Sequence, residues 1–168
     1  NGNDYIVLAP QVLHAANYGV PETRERVIFI GIKRSALKPE AIEALEQELI
    51  PDLYNPYPKP THNYNANNTT LPSPVSCRDI FSGLPEPSES NDLAQKAYSC
   101  AKYLSNGSQG QTEININGLA PTIRSEHHGN IEFRRLSAEH GGKITEELSN
   151  GLIERRLTPR ECALIQTF

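Results

Sequence analysis

Two arginines, Arg24 and Arg26, stand at the head of a continuous apolar run, Val27-Ile28-Phe29-Ile30-Gly31-Ile32. In extended backbone, residues i and i+2 point the same way, so the two guanidiniums are expected on one side of a strand end. Paired planar cations suit a phosphate or a carbonyl-like base oxygen. The alternative is two solvated arginines, the common fate of exposed Arg. Farther along, Thr122 sits in a β-prone stretch followed by Arg124, His127, His128 and Asn130. A metal pair at His127-His128 is disfavoured, because neighbours on a strand face opposite sides. Cys77, Cys100 and Cys162 are odd in number and widely spaced, which argues against a disulfide framework and a cysteine zinc site. No metal is expected, and a reducing, intracellular setting is the simplest reading.

These residues need elements to hold them. The unbroken 27–32 run predicts a strand buried on both faces, as in a helix-covered α/β sheet. Pro39-Glu40 opens a helix with Ile42, Leu45 and Leu49 on one face and acids on the other, ended by Pro51. Residues 51–75, rich in Pro, Asn, Tyr and Thr, read as an extended loop. A short helical turn is expected within 75–84, and a second helix over 93–104 with Ala94, Ala97 and Ala101 on it. Short strands are expected at 113–116, 122–123 and 131–133. Thr158, Pro159 and Glu161 fit N-cap, first helical residue and capping-box partner of a last helix. The start at Asn1 without Met, and the end at Phe168 within a helical pattern, suggest a longer parent chain.

The net charge of -4 speaks against nucleic acid only until its distribution is read. Residues 40–52 hold five acids and no base, whereas 24–38 hold Arg24, Arg26, Lys33, Arg34 and Lys38 against Glu25 alone. One acidic helix sets the sign. No run is long and apolar enough for a membrane span, and no secretory leader is seen.

Three blocks carry a resemblance. Asn17-Tyr18-Gly19-Val20-Pro21-Glu22-Thr23-Arg24-Glu25-Arg26 resembles motif VIII of the DNA (cytosine-5-)methyltransferases, a Gln-x-Arg-x-Arg core after a Tyr-Gly-(Val/Ile)-Pro turn. It departs at Glu22, where that family usually has Gln. Arg155 to Phe168 resembles motif IX, with Arg156, Arg160 and Glu161 at its structural positions. Gly118 to Asn130 is similar to the Thr-containing stretch of the family's target-recognition domain, with Thr122 the matching residue. A weaker similarity covers 75–85.

The resemblance implies that Arg26 contacts the O2 of a flipped cytosine and that Arg24 helps order the active site. It implies that Thr122 meets a phosphate oxygen, while Arg124, His127, His128 and Asn130 reach base edges. It implies an α+β fold: a small target-recognition domain with short strands, few helices and long loops, plus one strand of the α/β methyltransferase sheet. Residues 1–38 would end the catalytic domain, and 39–168 would form the recognition domain. The family's nucleophile lies in Pro-Cys and its acid in Glu-Asn-Val; neither pair stands in residues 1–168. The expected partners are double-stranded DNA and an N-terminal catalytic domain, in the bacterial cytoplasm with a restriction–modification role. S-adenosyl-L-methionine is expected in the parent enzyme and not on this fragment. The rival readings are a catalytically inert DNA-binding homologue and a tRNA cytosine-5 methyltransferase.

Overall fold

A computed structural model describes residues 4–47, 50–64, 70–105, 110–125 and 131–168. The chain opens with β1 (Tyr5–Val7) and β2 (Gln11–His14), turns through 15–18, and returns as β3 (Glu22–Thr23), β4 (Glu25–Ile28) and β5 (Gly31–Lys33). β1 pairs antiparallel with β5 and β2 with β4. Partner numbers shift by one between the two ladders, from Val7↔Gly31 to Gln11↔Ile28. The slip falls beside Pro10, which has no N–H to give a ladder. The Tyr57 hydroxyl reaches the carbonyls of Ala9 (2.9 Å) and Ile28 (3.1 Å) at that break.

This corrects the expectation of a strand buried on both faces over 27–32. The run is divided between β4 and β5, and Val27 (53% exposed) and Phe29 (70%) face outward. A two-stranded ribbon has cover on one side only. There Ile6, Leu8, Leu45 and Tyr57 form a small core with Ile30, Ile32 and Ile42, the last on α1 (Pro39–Leu45).

The larger core joins α2 (Cys77–Phe81) to the last helix, α5 (Pro159–Ile165), through Cys77, Phe81, Ile114, Ile116, Ile123, Leu157 and Ile165. The helix expected over 93–104 is only α3 (Leu93–Lys96). Its continuation is overridden because the Ala101 and Lys102 carbonyls accept from the Arg156 guanidinium. The strand expected at 113–116 is a single bridge from Glu113 to Phe133, although Ile114 and Ile116 alternate inward. β6 (Ala120–Pro121) and β7 (Phe133–Arg135) lie two residues from the positions expected. α4 (Thr145–Ser149) and β8 (Arg155–Arg156) complete the fold, with β8 antiparallel to β7. The architecture is the α+β one expected, with short strands in two-stranded sheets. Among the described residues, no helix is long and apolar enough to cross a membrane, and no cluster of His, Cys, Asp and Glu could hold a metal ion.

One closed ring of alternating charge runs through this core. Arg134 meets Glu147 at 2.7 Å, Glu147 meets Arg135 at 2.6 Å, and Arg135 meets Glu86 at 2.8 Å. Glu86 meets Arg155 at 3.0 Å, Arg155 meets Glu161 at 2.8 Å, and Glu161 returns to Arg134 at 3.8 Å. All three arginine side chains are buried. Arg134 and Arg135 are sequence neighbours and would normally face opposite sides of a strand. The register shift between Phe133 and Arg135 lets both join the ring.

Burial alone would raise the Glu86 carboxyl, but hydrogen bonds and attraction from Arg155 and Arg135 outweigh it and hold the group below the ordinary glutamate value. Glu147 is held low in the same way by Arg134 and Arg135. A carboxylate with a depressed folded-state pKa stabilises the fold above its unfolded pKa, and that contribution is lost as pH falls through the folded value. Melting temperature should therefore drop as pH is lowered below about 4.3, the ordinary glutamate pKa. Glu147→Gln should melt lower at neutral pH and show a shallower acid dependence. Calorimetric melts of both chains across that range check it.

Candidate functional site

The arginine segment is positioned by the turn before it. β2 ends at His14, whose Nδ1 accepts the Ala16 N–H at 3.1 Å and whose ring stacks on Tyr64 at 4.2 Å. The turn closes on Gly19 at φ 81°, and a Cβ there would lie 2.9 Å from Cε1 of His62. Only glycine suits both the left-handed backbone and the close approach. The chain then leaves through Val20-Pro21 into β3.

β3 runs parallel to β6, with Glu22 opposite Ala120 and Thr23 opposite Pro121. The Ala120 N–H donates to the Pro21 carbonyl at 2.9 Å. The backbone ladder ends after the Thr23–Pro121 pair. Side chains take over. The Thr23 hydroxyl donates to the Ala120 carbonyl (3.1 Å), and the Thr122 hydroxyl donates to the Thr23 carbonyl (2.8 Å). The Ile123 N–H donates to Oε1 of Glu22 at 2.6 Å. Glu22 is buried, and the same Oε1 lies 4.0 Å from Nη1 of Arg24.

This clasp joins the Arg24–Arg26 segment to the Thr122–Arg124 segment across about a hundred residues of sequence. The extended backbone expected through both arginines is interrupted, since β3 stops at Thr23 and β4 starts at Glu25. Arg24 turns toward Glu22. Arg26 is exposed, with Nη1 donating to the Glu25 carbonyl at 2.6 Å. Thr122 has its hydroxyl proton on Thr23, so donation to a phosphate requires that proton to turn away. Arg124 is about half exposed and lies 3.7 Å from Glu132. His127, His128 and Asn130 lie outside the described residues.

The C-terminal block supports this site from behind. Thr158 accepts the Glu161 N–H at 3.0 Å and Glu161 accepts the Thr158 N–H at 2.9 Å, the capping box expected from the spacing. The Thr158 hydroxyl also donates to Gln95 at 2.6 Å. Arg160 donates to Asp92 at 2.7 Å. Arg156, fully buried, donates to the carbonyls of Ala101, Lys102, Gly110 and Ile131, and its guanidinium lies 4.0 Å over the Phe133 ring. Sequence reasoning singled out Arg156, Arg160 and Glu161, but it missed Glu86, Arg134, Arg135 and Glu147. Opposite charges far apart in sequence carry no local pattern. It also noted Glu22 only as a departure, whereas the structure uses the one oxygen that Glu and Gln share.

The Cys77 and Cys162 thiols are not poised as nucleophiles. Burial pushes Cys77 up to about 11, and burial together with Glu161 and Glu132 pushes Cys162 up to about 12.

The family model of the C-5 cytosine-specific DNA methylases matches residues 3–168. The chain belongs to that family. Neither the curated proteins nor the solved structures give a match. C-5 cytosine-specific DNA methylases act on DNA and generally use S-adenosyl-L-methionine. The apolar cavity of about 360 Å³ beside the clasp, lined by Ile123, Ile131, Leu157 and Cys162, has Arg124 as its one charged residue and does not fit that donor. A guanidinium repels a sulfonium and offers ribose hydroxyls no acceptor.

Replacing Arg156 by Lys should destabilise the fold by at least about 2 kcal/mol, because one ammonium cannot serve carbonyls that a planar fork spans. Urea unfolding midpoints of the two chains check it.

Proposed function

We propose that this chain is the DNA-recognition part of a C-5 cytosine methyltransferase that methylates a cytosine flipped out of one specific duplex sequence. The clasp carries the reading. It holds the segment with two arginines against the segment with Thr122 and Arg124, and it leaves Arg26 exposed beside that junction. In this reading Arg26 binds O2 of the flipped cytosine and Arg24 keeps the segment in shape. Thr122 meets the DNA backbone, and Arg124 with His127, His128 and Asn130 reads bases. Flipping costs a few kcal/mol, which phosphate contacts help to offset.

The thiolate that adds to C6, the acid at N3 and the methyl-donor site belong, in this reading, to a catalytic domain that precedes these residues. Burial holds the Cys77 and Cys162 thiols above the ordinary cysteine value, the opposite of an activated nucleophile. The outward face of the ribbon, with Val12 63%, Val27 53% and Phe29 70% exposed, is the apolar surface that such a domain would cover. A bacterial restriction–modification setting completes the proposal.

Bisulfite sequencing of host DNA after expression of the full-length gene tests it. Protected cytosines should recur in one short sequence, and Arg26→Ala should lower their methylation on the order of a hundredfold. Soluble protein with no protected cytosines, or with methyl transfer to tRNA alone, would contradict it.

A further inference from the structure

Glu22 is a buried carboxylate at a junction where the backbone pairs over only two residues. Just beyond the two-residue ladder, the Ile123 N–H has the Glu22 side chain as its acceptor at 2.6 Å. A buried N–H without an acceptor is costly, so this bond fixes where residues 120–124 lie against residues 20–24. The ionic contact of Glu22 is looser: Arg24 Nη1 stands 4.0 Å away and is about one-third exposed. Reach to the Ile123 amide therefore matters more here than charge, since partly exposed pairs contribute little.

We propose that Glu22 is a positioning residue. Its Oε1 sets the register of the Thr122–Arg124 segment against the arginine segment, and so sets where Arg26 stands when Thr122 and Arg124 engage DNA. The proposal rests on the functional reading above. It deepens that reading by assigning the coupling between the base-holding and backbone-holding segments to one side chain. Thr23 and Thr122 add bonds to the same junction, but both act through backbone carbonyls and neither satisfies the Ile123 N–H.

Two substitutions separate reach from charge. Glu22→Gln keeps an oxygen at the same distance and loses the charge. Glu22→Asp keeps the charge and withdraws it by one methylene, out of reach of Ile123. Amide hydrogen exchange on this chain reads the clasp without reference to activity. The Ile123 amide should be protected in the native chain and in Glu22→Gln, and should exchange at least about tenfold faster in Glu22→Asp. In the full-length enzyme, kcat for methyl transfer should fall on the order of ten- to a hundredfold in Glu22→Asp. KM for DNA should stay within about threefold, and Glu22→Gln should restore most of kcat. Unchanged Ile123 exchange in Glu22→Asp would overturn the clasp. Faster exchange with unchanged kcat would overturn the positioning role. Failure of Glu22→Gln to rescue would make charge on Arg24 the operative feature instead. A native enzyme that methylates no DNA would overturn the functional reading, and the exchange result alone would then decide the register role.

Discussion

The alternating ring of Arg134, Glu147, Arg135, Glu86, Arg155 and Glu161 is the interaction on which the rest of the structure depends. It ties β7, β8, α4, α5 and the turn after α2 into one body. Each charge has an opposite charge on either side, which offsets the desolvation of three buried guanidiniums. Buried ions of this kind contribute little net stability but penalise every arrangement that leaves one unpaired. The ring therefore selects one packing of short elements, none of which could hold its place by length. Glu161 belongs to it while also capping its own helix through Thr158, so the ring and the start of α5 are fixed together.

From that body the order passes outward in two directions. Arg156 gathers the carbonyls of 101–102, Gly110 and Ile131, which braces loops that lack secondary structure of their own. Ile123 and Leu157 share the main core, so the Thr122–Arg124 segment is packed on the braced body from below. The Glu22 side then attaches the ribbon and its arginines to that segment. The two segments joined by the clasp thus stand on a chain of support in which each link is a satisfied polar group or a buried side chain.

Much of this was legible before any coordinates. The capping box at Thr158 and Glu161 is formed as the spacing required, because caps are local and their chemistry is carried by adjacent residues. The α+β class and the start of α1 at Pro39 also followed from pattern, although α1 ends at Leu45 rather than at Pro51, and Leu49 lies outside the described residues. The apolar run 27–32 misled, since continuous hydrophobicity signals burial but cannot say whether cover comes from one side of a ribbon or two faces of a sheet. The helix beyond Lys96 failed for a different reason: a buried arginine 54 and 55 residues away in sequence takes the Lys102 and Ala101 carbonyls. Arg24, Arg26 and Thr122 stand out through motif resemblance. Their connection through Glu22 does not, because it is a side-chain bond to the backbone of a segment about a hundred residues away.

The most direct measurement of the central claim is selection of duplexes from a random-sequence DNA pool by this chain, with the bound molecules sequenced. The account predicts enrichment of one short cytosine-containing sequence, with retention that weakens as salt is raised, as phosphate contacts require. Retention without any enriched sequence, or retention of structured RNA in preference to duplex DNA, would contradict it.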